Sequence, residues 1–454
     1  MMLFTTNWLS SVLKDVKGKV SEEAVIEKVF TDSRVKKEQS LFIPIQGENF
    51  DGHQFVDEAI ANGAIAVIWD RKISVPESIP PEIPVFLVDD TLQALQELAT
   101  QYRQKVNPKV IGITGSNGKT TTKDMVASVM QSTYRTHHTV GNYNNEIGLP
   151  LTILDMPRDT EVLVLEMGMS AFGEIELLSK IAKPDHAIIT NIGESHIEFL
   201  GSREGIAKAK LEIISGLSDK GILIVDGDEP LLQQLHIPNK VISCGFDESN
   251  DLSISKVAIN HNITTFTLSD SNTYTIPLLG KHHAKNATYA VMIGKLLQVD
   301  TKKIFNSLEN LKITSMRFEL LKGKNGVSLI NDAYNASPTS MKAAIEVVKE
   351  IQGFKHKVLV LGDVFELGGQ SKDFHRTVSE VIKQPITELF TIGNDAEVIS
   401  NAIRQEVPTI TSQHFQSQEE LIQELQSYLN EDTLILFKAS RGMKLELIIE
   451  KLLK

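Results

Sequence analysis

At 454 residues the chain is too long for a single hydrophobic core and has room for about three domains of roughly 100–200 residues each. Its 41% hydrophobic and 23% charged residues exclude long disorder, and its net charge of −12 excludes a general attraction to nucleic acid or to an anionic membrane. Any phosphate-bearing ligand must therefore be gripped by a local site.

The start, Met1 to Leu9, is mildly apolar without a basic leader, and reads as the opening of a domain helix and not as a signal peptide. Strands are expected over Ser40–Ile45 and Ala64–Ile68, with a helix over Phe55–Ile60 between them and a further strand over Val85–Val88. These make residues 1–95 a small α/β unit. The spacing of Leu92, Leu95 and Leu98 predicts a helix over Thr91–Tyr102 that crosses into the next unit, 96–314. That unit opens on the apolar strand Lys109–Ile113. Strands over Val162–Leu165, Ala187–Thr190 and Ile222–Val225 then alternate with helical segments, the pattern of a parallel sheet covered on both faces. Between Val241 and Leu279 short β runs predict an antiparallel appendage, and Lys285–Leu297 returns to a helix.

The third unit, 315–454, alternates again. Strands are expected at Ser328–Asn331, Lys357–Leu361, Leu389–Ile392 and Thr433–Phe437, and helices at Ser340–Ile351, Phe374–Ile382, Ala396–Gln405 and Leu445–Leu453. This is a Rossmann-like sheet, yet no G-x-G-x-x-G follows its first strand, so a dinucleotide role is unsupported. No segment reaches the roughly 20 apolar residues needed to span a bilayer. Cys244 is the only cysteine, which excludes an intrachain disulfide and a cysteine zinc site and fits a reducing cytoplasm.

Three segments carry chemistry on their own residues. Ile111 to Thr122 reads I-G-I-T-G-S-N-G-K-T-T-T between a strand and an apolar-faced helix, the context of a phosphate-binding loop. Gly115 and Gly118 allow backbone N–H groups to turn inward, and the helix start adds positive potential. Lys119 can reach the β- and γ-phosphates, and the Thr120 hydroxyl can ligate Mg²⁺. Thr114, Ser116, Asn117 and Thr121 complete the nucleotide-binding stretch, in which Ile113 stands where the general motif has its first glycine. Glu166 ends one strand and His196 follows another, where α/β sheets place functional side chains, and Lys208 and Lys210 lie on the next helix. Taken singly, these are equally a rim carboxylate, a satisfied loop histidine and surface lysines. Gly141 to Pro150 is an asparagine-rich loop that is either a plain turn or a ligand contact.

The phosphate loop, with its non-glycine first position, resembles that of the Mur ligases and of the related folylpolyglutamate synthases. Further segments resemble the Mur ligase family in order along the chain. They are Thr31–Arg34, Gly47–Phe55, Gly141–Pro150, Leu279–Asn286 (with His283 in place of an expected asparagine), Met316–Glu319, Ile330–Met341, Leu361–Gly368 and Phe437–Glu446. The resemblance implies ATP and Mg²⁺ as cofactors, with Glu166, His196, a carbamylated Lys210 and Thr120 as metal ligands; Lys208 leaves the lysine's register open. It places Asn286 on adenine, Asp332 on the ribose and Arg317 on the γ-phosphate, and makes Lys119, Glu166, His196, Lys210 and Arg317 the catalytic set. Ser33, Arg34, Gly47 and His53 would bind the UDP moiety, and Asn142 and Asn145 the muramoyl peptide. Asp363 and Glu366 would orient the incoming amine, Lys438, Ser440 and Arg441 would meet carboxylate or phosphate, and Asn335 and Ser337 would contact substrate, although several are equally helix-start or strand-end caps.

The run D-A-Y-N-A-S-P-T-S-M at 332–341 resembles the members that add a dipeptide, and the Asp-Asn-Pro-Arg of a sister branch is absent. The implied reaction is ATP-dependent joining of D-alanyl-D-alanine to UDP-N-acetylmuramoyl-tripeptide through an acyl phosphate. The first unit would bind the UDP substrate, the second ATP and the third the dipeptide. The expected enzyme is a monomer that needs neither nucleic acid nor membrane insertion.

Overall fold

The computed structural model describes residues 2–21, 24–47, 50–233, 235–260 and 263–453. Three α/β sheets follow one another along the chain, joined by helices and short connections. The first has five strands, in the order Val16–Lys17, Val85–Val88, Ala64–Asp70, Ser40–Phe42 and Lys28–Phe30. The helix after it, Thr91–Val106, starts at Asp90, whose carboxylate accepts from the N–H groups of Leu92 and Gln93, and ends at Asn107 in the left-handed conformation. It runs unbroken past residue 95. Its Tyr102 hydroxyl donates to the Met156 carbonyl of the central unit at 2.8 Å. One apolar cluster consequently runs from Leu3, Phe4 and Leu41 through Leu98 and Tyr102 to Leu163 and Leu165.

The central sheet has nine strands. Six strands, from Thr136–His138 across Val162–Glu166, Lys109–Thr114, His186–Ile189 and Ile222–Asp226 to Lys240–Gly245, are mutually parallel. They are nearly continuous apolar runs because both faces are covered. Alternation sends Val110, Leu163 and Leu165 to the core beneath Thr91–Val106, and Ile111, Ile113, Val162 and Val164 to the core beneath Lys119–Gln131 and Lys281–Leu296. The expected antiparallel appendage begins later than Val241: Lys240–Gly245 is a regular parallel strand, and only Leu252–Asn260, Ile263–Leu268 and Thr273–Ile276 pair antiparallel, continuing the same sheet.

Strand Lys109–Thr114 lies between Val162–Glu166 and His186–Ile189, where the chain, after running outward to one edge, turns back toward the other. Such a reversal opens a crevice at the carboxyl ends of the strands. The third sheet orders Glu319–Lys322, Ser328–Asn331, Thr433–Lys438, His356–Gly362, Glu388–Ile392 and Thr411–Phe415, all parallel except the first. Its two outer strands have no apolar run to announce them, because edge strands face water and are built of E-L-L-K and T-S-Q-H-F.

Candidate active site

The phosphate loop sits at that crevice. Gly115 has φ +150° and a Cβ there would stand 1.8 Å from the Thr190 hydroxyl; Gly118 has φ +79° and a Cβ would press on the Asn286 amide at 2.9 Å. Only glycine fits either position. The next strand's end scaffolds the loop. The Asn191 carbonyl accepts from Ser116 N at 3.1 Å, the Asn191 side chain accepts from Asn117 N at 2.9 Å, the Thr190 hydroxyl donates to the Asn117 carbonyl at 2.6 Å, and Gly193 N donates to Ser116 Oγ at 2.9 Å. Lys119 opens the helix Lys119–Gln131 and folds back to donate to the Gly115 carbonyl at 2.8 Å. Burial holds its ammonium below the ordinary lysine range. A cleft of about 840 Å³ lies over the loop, walled by the central and third units.

Glu166 ends its strand with a buried side chain. Oε1 accepts from the Asn144 amide at 2.7 Å, while Oε2 has no partner. An orphaned buried carboxylate oxygen is costly unless a ligand completes it. His196 lines the same cleft, its Nδ1 in ion-pair contact with Glu366 of the third unit, and burial lowers its pKa, which favours the neutral ring that ligates metals. Lys210 is 2% exposed, and burial together with nearby Lys119 pushes its pKa well down. Lys208 is exposed, its ammonium 5.8 Å from the centre of the Phe172 ring. Of the two lysines only Lys210 faces inward. No cluster of three or more His, Cys, Asp or Glu side chains able to hold a metal occurs among the described residues. A cation beside Glu166 and His196 therefore needs a donor of another kind, and a carbamate on Lys210 is an anionic oxygen donor suited to Mg²⁺. Glu166, His196 and Thr120 line the cleft and offer donors of the kind such an ion takes, while Lys210 is not among the lining groups but lies within electrostatic reach of His196.

The third unit closes the cleft. Arg317, between Met316 and Phe318 with φ +63° and +55°, lies 4.0 Å over the Tyr334 ring and donates to Thr120 Oγ1 at 3.2 Å. Its Nε is buried without a partner, leaving donor capacity for an anion. Asp332 accepts from Phe318 N at 3.2 Å and from Lys438 Nζ at 2.6 Å. Ser337 Oγ donates to Asn117 Oδ1 at 3.0 Å. Asn286 is in the second turn of Lys281–Leu296, whose cap is Gly280, so it is not a helix cap and instead faces Gly118.

Beside it, both ring nitrogens of His283 are buried and unpartnered. Burial pushes His282 down to about 4 and His283 well below its ordinary value. The unfolded chain takes up these protons near pH 6.5, whereas the fold refuses them until lower pH. The stability these rings hold above pH 6.5 is thus lost as pH falls toward 4, by roughly 3 kcal/mol at most for His282. Urea unfolding at pH 7 and pH 4.5 should show the double variant His282→Asn/His283→Asn losing less on acidification than the parent; an identical loss counts against neutral rings.

Several residues expected in the site are otherwise employed. Asn142 is exposed on its loop, and the residue that turns to Glu166 is Asn144, two positions on. Asn145 lines the cleft, but its Oδ1 accepts from Gly148 N at 2.9 Å to start the next helix. Ser337 caps the helix Pro338–Glu350 in a reciprocal pair with Ser340. The Asp363 carboxylate, expected to orient the amine, is taken by the backbone N–H groups of Asn394, Asp395 and Ala396 at 2.7–2.9 Å. Asp363→Ala should therefore lower stability by about 2–3 kcal/mol in urea unfolding with little change in the KM for the amine. A raised KM at unchanged stability would restore the substrate role.

Ser440 Oγ accepts from Phe365 N at 2.9 Å, and Arg441 pairs with Glu446 at 3.1 Å. Asn335 is exposed and lines the cleft. In the first unit His53 is a buried structural histidine, bonded to Asp51 at 2.6 Å and to Asp70 N at 3.3 Å and set edge-on to Trp69. Ser33 donates to Glu58 at 2.5 Å, Arg34 is exposed and held by Asp32, and Gly47 lies in an exposed two-strand turn whose Glu48 and Asn49 fall outside the described residues. Asn144, Thr190, Asn191 and Glu194 carry no reading of their own in the sequence, since hydrogen bonding across strand ends has no local signature.

Residues 25–103 match the model of the Mur ligase family catalytic domain, 113–294 that of the Mur ligase middle domain, and 316–441 that of the Mur ligase glutamate ligase domain. The chain belongs to the Mur ligase family. It is 48% identical over 452 residues to UDP-N-acetylmuramoyl-tripeptide--D-alanyl-D-alanine ligase of Bacillus subtilis (strain 168), covering 98% of each chain. Its fold matches a crystal structure of MurF from Acinetobacter baumannii with a TM-score of 0.87 at 30% identity, covering 99% of this chain and 98% of that one. MurF ligase from Thermotoga maritima in complex with ADP matches with a TM-score of 0.82 at 30% identity, covering 95% and 98%. The Mur ligase match thus extends over all three sheets, including the walls of the cleft.

Proposed function

We propose that this Mur ligase joins D-alanyl-D-alanine to UDP-N-acetylmuramoyl-tripeptide at the expense of ATP, in the synthesis of a peptidoglycan precursor. The observation that carries this reading is the full-length 48% identity with a ligase of that name, together with a phosphate loop opening on a cleft between two sheets. Residues 1–95 hold the UDP end of the acceptor, 96–314 hold ATP, and 315–454 bring in the dipeptide.

The reaction runs in two steps. An oxygen of the tripeptide's terminal carboxylate attacks the γ-phosphorus of ATP; the new O–P bond forms as the bond to the β-phosphate oxygen breaks, and ADP departs. The dipeptide amine then attacks the acyl carbon, the C–N bond forms, the C–O bond to phosphate breaks, and the amine gives up a proton. Loop amides and Lys119 neutralise charge on the phosphates, and Arg317 sets a planar pair of donors against the γ-phosphate. Asp332 receives the ribose hydroxyls, and Asn286 reads the base. Glu166, His196, carbamylated Lys210 and the Thr120 hydroxyl would hold Mg²⁺, which would screen the repulsion between phosphates and carboxylate. The cleft between two units suits closure that excludes water from a hydrolysable acyl phosphate.

A UDP-linked acceptor is consistent with a reaction in the cytoplasm. No described helix is long and apolar enough to cross a membrane. ADP release in the presence of the UDP-tripeptide, with and without D-alanyl-D-alanine, tests the assignment. Sustained release only with both substrates is the expected result; turnover with another amino acid in place of the dipeptide would overturn it.

A further inference from the structure

Two strained residues meet across the boundary between the central and third units. His196 has φ +64° and Glu366 has φ +62°. Neither is a glycine, and a bulky residue in the left-handed region is held there only when its surroundings over-determine it. Their side chains are in ion-pair contact, Glu366 Oε2 against His196 Nδ1, although the approach falls short of hydrogen-bond geometry and Nδ1 has no other partner. The backbones follow, since Glu198 N donates to the Glu366 carbonyl at 3.2 Å. A second contact flanks the pair on the same loop: the Glu194 carboxylate accepts from the Thr339 hydroxyl at 2.7 Å and from Thr339 N at 3.3 Å, in the first turn of the helix Pro338–Glu350. No hydrogen bond is made by His196 Nε2 among the described residues, and His196 and Glu166, with its orphaned oxygen, line the same cleft.

From this geometry we infer that Glu366 is a positioning residue for His196, supplied by the third unit, and that it orients the imidazole for cation binding only when the two units are together. A carboxylate on Nδ1 holds the proton there, which fixes the tautomer, leaves the Nε2 lone pair free and stops the ring from rotating. The carboxylate arrives from another domain, so each separation of the units releases the ring. Closure and cation binding at Glu166 and His196 are then linked, each favouring the other by the same factor. The inference rests on the proposed reading of Glu166 and His196 as cation ligands. It reassigns Glu366, which the motif alone offered as a partner of the incoming amine.

The test is Mn²⁺ binding to the full-length protein carrying a non-hydrolysable ATP analogue, with free Mn²⁺ read by electron paramagnetic resonance. Glu366→Ala is expected to weaken the class of sites lost in His196→Ala by roughly 10- to 100-fold, with Glu366→Gln intermediate because its amide oxygen still accepts from Nδ1. The double variant His196→Ala/Glu366→Ala should bind no more weakly than His196→Ala alone. Affinity unchanged in Glu366→Ala while His196→Ala is impaired overturns the inference, and so do additive losses in the double variant. If His196→Ala itself binds Mn²⁺ like the parent, the reading of His196 as a ligand fails, and the inference with it. Thermal unfolding of each variant identifies a folding defect, in which case Glu366→Gln carries the comparison.

Discussion

Lys119→Ala lowers turnover by about 10³-fold while leaving the affinity for the UDP-linked acceptor unchanged. The lysine stands at the start of the helix Lys119–Gln131, buried, its ammonium on the Gly115 carbonyl. That carbonyl is a neutral partner, readily exchanged for phosphate oxygens when a triphosphate enters. In the transition state negative charge grows on the oxygen that leaves with ADP, in a cleft where a fixed cation is worth far more than in water. Loss of one such group costs on the order of 10²–10³ in rate, and more where it also holds the phosphates in line. Steady-state ADP release reports the first effect and calorimetric titration with the UDP-tripeptide the second. Parallel loss of both would mean that the variant is misfolded, and unimpaired turnover would remove Lys119 from the mechanism.

Lys210→Ala is expected to cost roughly 10²-fold in turnover, and the reason can be separated from simple structural damage. Lys210 is buried without an ion-pair partner among the described residues and feels Lys119, so its charged form is disfavoured. A neutral amine adds CO₂ to form a carbamate and release a proton. The product is an anion, and it relieves the cation–cation conflict that the free ammonium would suffer. Removing dissolved CO₂ should therefore lower the activity of the parent reversibly, and bicarbonate should restore it. Lys210→Met, which removes a buried charge and keeps the volume, should lose turnover to the same extent as Lys210→Ala yet be at least as stable as the parent in urea. Full activity in Lys210→Ala sinks the role of this residue; indifference of the parent to CO₂ sinks the carbamate.

The core strands were legible in the sequence because each is an apolar run between turn residues, as at Val162–Leu165 and Val85–Val88, and burial on both faces leaves such runs few alternatives. The phosphate loop was legible for a local reason also, since its glycines and lysine act within one turn. Edge strands such as Thr411–Phe415 were not, because half of each faces water. Among the site residues, the sequence could name Glu166 and His196 but not the distinction between Lys208 and Lys210, which lie two apart on one helix and differ only in which side meets protein. Asp363 and Ser440 stand in recognisable motifs, yet their oxygens are satisfied by backbone amides from distant loops, and no spacing rule reports that.

By itself the sequence determined which segments become strands and helices, where a phosphate can be gripped, and which family pattern the chain follows, because these depend on side chains a few positions apart. Tertiary structure alone decided that Asn144 and not Asn142 turns to Glu166, that Lys210 faces inward, and that Glu366 meets His196. Those outcomes depend on burial and on contacts between residues up to 170 positions apart in sequence or on opposite faces of one element. Only the packed molecule sets which polar atoms keep a partner and which are left for a ligand.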